Sequence, residues 1–172
     1  PKILISLRNP VDRAFSYYAM YKMRNLIDRD FDYYIENGLN ISGIDVFSSG
    51  LYYEQVKEYL RVFGPEQVKI VYYENILNDM TSVLKDICLF LTVDSEYVFK
   101  TSTKFNESFD PKFKFVANFI YSKNNKIKNF FRLFLTKKNR LRILMFIQKI
   151  NKKAKPIMNE HQRRLLINYY RE

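Results

Sequence analysis

An arginine and a serine are the residues of this sequence whose types and spacing best suit anion binding. Arg8 directly follows the aliphatic residues 2–7, and Ser16 comes eight positions later, two turns into a predicted helix. Arginine can engage a phosphate through two parallel hydrogen bonds, which lysine cannot. The serine hydroxyl would add a donor, and the N-terminal amide groups of a helix favour negative charge. The spacing predicts an anion site at the start of this helix.

A simpler interpretation of these residues stays open from the residues alone. Arg8 would pair with a nearby acid such as Asp12, and Ser16 would be a small packing residue. The predicted strand and helix that carry Arg8 and Ser16 help to decide between the two interpretations.

The first elements predicted are a strand over residues 2–7 and a helix over residues 10–24. The strand is rich in aliphatic and β-branched residues. Asn9 stands where an N-cap belongs and Pro10 at the first helical position. A short helix ending at Gly38 and a loop over residues 39–50 are expected next.

A second strand is predicted over residues 67–75, between helices over residues 51–63 and 80–91. Gly64-Pro65 is expected to end the first of these helices and Asp79 to cap the second. The inner stripe of the first is predicted to comprise Leu51, Val56, Tyr59, Leu60 and Phe63. This order of elements predicts a parallel α/β sheet, in which ligands bind at the carboxyl ends of strands. Arg8 occupies such an end.

The composition limits the classes of site. The 172 residues are 47% hydrophobic, which fits one domain, and no apolar run is long enough to span a membrane. Cys88, the single cysteine, is expected to be a buried inert thiol, and His161, the single histidine, to lie near a helix start at the surface. This gives little basis for a metal site, and none is predicted. The single cysteine favours a cytoplasmic location.

The net charge of +11 is unevenly distributed. Residues 1–110 hold 12 Lys and Arg against 16 Asp and Glu, whereas residues 111–172 hold 17 against 2. The second part is predicted to be mostly helical, with basic turns at residues 123–128 and 136–140. Residues 139–153 mix apolar and basic side chains, which suits a helix packed on the sheet and also peripheral membrane contact. Nucleic acid is not the expected partner.

Several segments resemble sulfotransferases that use 3′-phosphoadenosine 5′-phosphosulfate (PAPS). "LISLRNPVDRAFSYY" is similar to their 3′-phosphate-binding segment, in which a serine follows the arginine by eight positions. "GLYYEQVKEYLRVF", "VKIVYYENILND", "KDICLFLTVD" and "KPIMNEHQRRLLINYYRE" resemble later family segments in the same order. The resemblance covers about residues 2–100 and 155–172.

The resemblance implies an α/β fold with a P-loop-kinase-like parallel sheet flanked by helices, followed by a mostly helical basic C-terminal third. It implies that PAPS donates a sulfuryl group to a hydroxyl or amine of an acceptor, with carbohydrates among the candidates. By matching positions, Arg8 and Ser16 would hold the 3′-phosphate, Tyr73 would lie beside the nucleotide, and Lys104 and Asn106 would lie in a loop that closes over it. From the residues alone, Tyr73 could equally be a half-buried strand aromatic.

The family's phosphosulfate-binding loop has no counterpart in this sequence. No glycine-rich loop followed by Lys and Ser or Thr occurs, and the family's usual His or Glu base is also missing. The chain is therefore interpreted as one partial domain over residues 1–172, with a nucleotide-binding part to residue 100 and a helical part over residues 101–172. Its catalytic residues are expected upstream of residue 1, and the chain is expected to be inactive alone.

Two alternatives come from other functional classes. A non-catalytic basic module would bind anionic polymers or membrane surfaces, with salt-sensitive affinity that is indifferent to nucleotide. A nucleotide kinase of related fold would accept ATP with Mg²⁺.

Overall fold

The computed structural model describes residues 1–41, 43–101, 112–116, 136–152, 154 and 156–171. It divides into two compact units. The first comprises Pro1–Ala14, Gly38–Glu107 and Arg163–Glu172, and the second comprises Phe15–Asn37 and Ser108–Gln162. The predicted organisation, one domain with a nucleotide-binding part to residue 100 and a helical part over residues 101–172, stays a prediction. Within the described residues, no helix combines the length and apolar character that spanning a bilayer requires.

The described residues form four strands, seven helices and one 3-10 turn. In chain order the elements are β1 (Ile3–Leu7), α1 (Pro10–Met23), α2 (Phe31–Asn37), β2 (Asn40–Ile41), β3 (Ile44–Asp45), a 3-10 turn (Ser48–Gly50), α3 (Tyr53–Phe63), β4 (Val68–Tyr72), α4 (Tyr73–Asn78), α5 (Met80–Leu91), α6 (Lys137–Ile150) and α7 (Glu160–Tyr169).

The sheet of the first unit pairs β1 with β4 in parallel. The register runs from Ile3 opposite Val68 to Leu7 opposite Tyr72, so both strands end at the same edge. The predicted parallel α/β arrangement is confirmed. The expected loop over residues 39–50 contains a short antiparallel pair, β2 with β3, and the 3-10 turn.

Helix α1 begins as the sequence predicts. The Asn9 side-chain oxygen accepts hydrogen bonds from the amides of Val11 and Asp12, at 3.0 and 3.4 Å, and Pro10 is the first helical residue. The helix ends at Met23, one residue before the predicted boundary. The part of α1 that belongs to the first unit contributes the buried side chains of Val11 and Ala14.

The described part of the second unit contains a cluster of three buried aromatic rings. The rings of Phe15 and Tyr18 on α1 lie 5.0 and 4.8 Å from the ring of Phe31 on α2, between centroids. All three side chains are buried. Rings at these distances contribute about 0.5–1.5 kcal/mol a pair beyond their burial.

The predicted inner stripe of α3 is only partly correct. Val56, Leu60 and Phe63 are half-buried, but Leu51 and Tyr59 are exposed. Leu51 precedes the helix, which begins at Tyr53. The Tyr59 ring stacks along the helix surface on Phe63, with centroids 6.0 Å apart.

The predicted ends of the neighbouring helices are confirmed. Gly64 ends α3 with a positive φ of 79°, a conformation that costs glycine little, and its amide donates to the Leu60 carbonyl. Asp79 caps α5 by accepting a hydrogen bond from the Ser82 amide at 2.9 Å. Cys88 on α5 is buried, as expected.

The basic segment over residues 136–140 was predicted as a turn, and this is wrong. The Thr136 hydroxyl accepts a hydrogen bond from the Asn139 amide, so Thr136 is the N-cap of α6. Capping satisfies an amide that would otherwise lack a partner. The other predicted basic turn, residues 123–128, lies outside the described residues. His161 is exposed in the first turn of α7, as predicted.

Candidate anion-binding site

Two strand-to-helix turns meet at the carboxyl edge of the sheet in the first unit. Leu7 and Tyr72 are opposite each other in the register, so Arg8 and Tyr73 follow directly from paired strand ends. The guanidinium carbon of Arg8 lies 4.8 Å from the centroid of the Tyr73 ring. A guanidinium at this distance is attracted to the ring face by about 0.5–1 kcal/mol at an exposed site. The contact favours this orientation of Arg8 and leaves its N–H groups for other partners.

The hydrogen-bonding capacity of Arg8 is not used by the part of the chain that the structure describes. Its Nε atom is buried and has no hydrogen-bond partner there. A buried N–H donor without a partner costs about 1–3 kcal/mol of desolvation, so native structures seldom retain one without reason. A bound anion would supply the missing acceptor.

Asp12 does not pair with Arg8. Its carboxylate contacts the guanidinium of Arg163 on α7 at 2.6 Å, and this is the ion pair described for Asp12. The interpretation of Arg8 as the partner of Asp12 is therefore wrong, because another arginine occupies that carboxylate.

The N-terminal amides of α1 are already engaged, which corrects one part of the predicted site. Pro10 has no amide hydrogen, Asn9 caps Val11 and Asp12, and the Arg13 amide donates to the Asn9 carbonyl at 2.9 Å. The first turn therefore offers no free amide to an anion. Arg8 is the donor that this turn provides.

Glu74 connects the two turns. Its carboxylate accepts a hydrogen bond from the Asn9 amide at 2.9 Å, between the start of α4 and the residue before α1. The bond holds Arg8 and Tyr73 in a fixed relation. Sequence reasoning gave Glu74 no role, although the Tyr-Glu-Asn motif after β4 was a signal that could have identified it.

Tyr73 is the first residue of α4, not a strand residue. The strand was predicted to continue to residue 75, but β4 ends at Tyr72. The alternative of a half-buried strand aromatic is thus wrong, and the Tyr73 side chain is exposed at the sheet edge.

The remaining predicted site residues are placed as follows. Ser16 lies on α1 and is half-buried, but it belongs to the second unit and Arg8 to the first, so their joint contact with a phosphate stays a prediction. Lys104 and Asn106 lie outside the described residues. Within those residues, no group of three or more His, Cys, Asp and Glu side chains could hold a metal ion.

An apolar cleft of about 360 Å³ lies next to this edge in the first unit. Leu7 and Tyr72, which directly precede Arg8 and Tyr73, line it together with Tyr52, Val56 and Leu60. Sequence reasoning missed this cleft. Its lining is aromatic and aliphatic apart from Lys57, which suits a ligand with a flat apolar part.

The family model for the sulfotransferase domain matches residues 1–172. The chain belongs to the sulfotransferase domain family. This confirms the predicted resemblance, and the predicted α/β fold of P-loop-like type is confirmed with it.

A solved structure supports the same assignment. The crystal structure of a sulfotransferase from Alicyclobacillus acidocaldarius is similar to this sulfotransferase domain, with 38% sequence identity and a TM-score of 0.55. The similarity covers 61% of this chain and 45% of that chain, so the matched part spans less than half of that chain. No curated protein matches the chain significantly.

Proposed function

We propose that this sulfotransferase domain binds PAPS through the donor's 3′-phosphate. The observation that carries the proposal is the buried Arg8 Nε without a hydrogen-bond partner in the described part of the chain. It lies at the carboxyl edge of a parallel sheet, where such folds bind ligands. An arginine can hold a phosphate in two parallel hydrogen bonds, so the residue type and its unpaired state both fit this anion.

The proposed roles of the other residues follow from their positions. Ser16 would donate its hydroxyl to the same phosphate, and Tyr73 would contact the nucleotide while holding the Arg8 guanidinium against its ring. Lys104 and Asn106 are proposed to contact the donor as well. Glu74 acts indirectly, as a positioning residue that holds the Arg8 turn through the Asn9 amide.

The acceptor hydroxyl or amine would attack the donor's sulfur and lose its proton to a base, while the bond between that sulfur and the bridging phosphate oxygen breaks. The sulfuryl group would pass to the acceptor, with carbohydrates among the candidates, and adenosine 3′,5′-bisphosphate would leave. This chain's own residues would bind and orient the donor. No loop of the phosphosulfate-binding type occurs in the 172 residues. We therefore propose that the chain alone binds nucleotide without transferring the sulfuryl group.

Calorimetry with adenosine 3′,5′-bisphosphate tests the proposal, with 5′-AMP as the comparison ligand. The bisphosphate should bind, and 5′-AMP much more weakly. Arg8→Ala should weaken bisphosphate binding by roughly 10- to 150-fold. This factor corresponds to the loss of about 1.5–3 kcal/mol, the typical contribution of a hydrogen bond to a charged group. Arg8→Lys should recover only part of the loss, because lysine is not bidentate.

Arg61→Ala is the matched control. Arg61 is exposed on α3, and its described hydrogen bonds go only to Glu58. This substitution should leave both affinities unchanged. Equal binding of the two nucleotides, or an Arg8→Ala variant with wild-type affinity, would overturn the proposal.

A further inference from the structure

The second unit exposes large apolar side chains next to lysines. Phe115 is 71% exposed and Phe146, on α6, is 64% exposed; Phe113 and Ile150 are also more than half exposed. Burial of such side chains away from water is favourable. Leaving several in water is a cost that a binding partner would remove.

Asn151 joins the two segments that carry these residues. Its backbone carbonyl accepts from the Lys112 amide at 2.8 Å. Its side chain accepts from the Phe113 amide at 2.8 Å and donates to the Phe113 carbonyl at 3.1 Å. Asn151 itself is only 3% exposed. Residues 112–115 are therefore held against the C-terminal end of α6.

We name this region the Asn151 surface, defined as residues 112–115 with Phe146, Lys149 and Ile150. Its charge is entirely positive. Residues 112–116 and 136–152 together contain eight Lys and Arg and no Asp or Glu. Lys112, Lys114 and Lys149 are exposed, and each directly precedes one of the exposed apolar residues in the sequence.

We propose that the Asn151 surface binds anionic lipid membranes from one side, without spanning them. The lysines would contact lipid phosphates and carboxylates while Phe113, Phe115 and Phe146 enter the headgroup region. A polyanion such as nucleic acid would neutralise the lysines but leave the apolar side chains in water. The exposed phenylalanines therefore favour a bilayer. Membrane binding by this surface does not depend on the proposed nucleotide site, because none of the residues proposed for that site belongs to the Asn151 surface.

Sedimentation with lipid vesicles tests the inference on the whole chain. The protein should bind vesicles of phosphatidylcholine mixed with phosphatidylserine and bind phosphatidylcholine alone much more weakly. The double substitution Phe113→Ser, Phe115→Ser should reduce binding at least roughly tenfold, because each phenylalanine loses most of its apolar burial in the membrane. Lys114→Glu should reduce binding several-fold.

Matched controls lie in the first unit. The double substitution Tyr97→Ser, Val98→Ser removes two exposed apolar neighbours, of which Val98 is 86% exposed, and Lys100→Glu reverses one exposed charge. Both should bind like wild type. Thermal melting of each variant should show that the substitutions leave the fold intact.

Fluorescence gives a second readout that does not depend on loss of binding. The chain has no tryptophan, so Phe115→Trp introduces a single reporter, and Tyr97→Trp serves as its control. The tryptophan emission of the Phe115→Trp variant should shift to shorter wavelength with phosphatidylserine vesicles, and that of the control should not. The inference would be overturned if the protein did not bind vesicles. It would also be overturned if binding survived the Phe113→Ser, Phe115→Ser substitution and Phe115→Trp showed no emission shift. That second result would identify the surface as a purely electrostatic polyanion site.

Discussion

Arg8 and Arg13 lie five residues apart in the first unit, and their guanidinium groups have opposite hydrogen-bonding states. The two terminal nitrogens of Arg13 donate to the Val46 carbonyl and the Ser49 hydroxyl, both at 3.1 Å. Arg8 contacts the Tyr73 ring, and its buried Nε has no partner in the described part of the chain.

The difference separates an arginine that holds the fold from one suited to a ligand. Arg13 satisfies acceptors of the segment between β3 and α3, where the Tyr170 hydroxyl also donates to the Phe47 carbonyl at 3.0 Å. Removing Arg13 takes one donor from each of two protein acceptors, of which the Val46 carbonyl keeps a hydrogen bond from the Ser49 hydroxyl at 3.0 Å. Removing Arg8 takes away a donor that no described residue uses. The two substitutions should therefore affect different properties.

Arg13→Ala should have the largest effect on stability. We expect the free energy of unfolding to fall by about 2–3 kcal/mol, because two partly buried hydrogen bonds from a charged donor are lost. Arg8→Ala should change it by less than about 0.5 kcal/mol or increase it slightly, since an unsatisfied donor is removed. Urea denaturation measures both. If the two variants lost equal stability, the distinction between the arginines would fail.

Asn9→Ala should have the next largest effect, about 1–2 kcal/mol of unfolding free energy, because the amides of Val11 and Asp12 lose their cap. Asn9→Asp keeps the cap and serves as the comparison. It should retain stability but weaken bisphosphate binding, because it places a negative charge next to Arg8. Denaturation and calorimetry on the same samples measure the two effects. Unchanged affinity in Asn9→Asp would argue that Arg8 does not face the phosphate.

Tyr170→Phe should cost about 1 kcal/mol of unfolding free energy, less than Arg13→Ala or Asn9→Ala, through loss of the hydrogen bond to Phe47. Burial raises the pKa of Tyr170 above its ordinary value. Its contribution to stability should therefore be complete below roughly pH 10, the unfolded pKa, and be lost as the pH rises above it. Urea denaturation at a series of pH values above 10 should show the free energy of unfolding falling more steeply with pH for wild type than for Tyr170→Phe. If the free energy of unfolding fell equally with pH in both proteins, the buried Tyr170 hydroxyl would not be the cause of the pH dependence.

Local rules predicted much of the first unit from sequence. Asn9 and Asp79 as caps, Pro10 as the first helical residue and Gly64 as a terminator each depend on chemistry within a few residues, and all are confirmed. The parallel pairing followed from the order of strands and helices. The position of Arg8 at a strand end followed from the same order.

Features that depend on distant partners were not predictable. The Tyr72-Tyr73 pair suits a strand by composition, yet β4 ends between these residues and α4 begins there. The Arg163 contact with Asp12 joins residues 151 positions apart. The engaged amides of α1 are different, because they follow from the local cap at Asn9 and could have been predicted from the sequence.

The Asn9–Glu74 hydrogen bond has a kinetic consequence. It joins residues 65 positions apart, and the chain must close this loop before the two turns can meet. Contacts so distant in sequence form late and slow folding. Helix α1 can therefore form before the Arg8 turn exists in its final geometry. In a refolding experiment, recovery of bisphosphate binding would then lag helix formation and follow the pairing of β1 with β4, so the nucleotide would report when the chain acquires its topology.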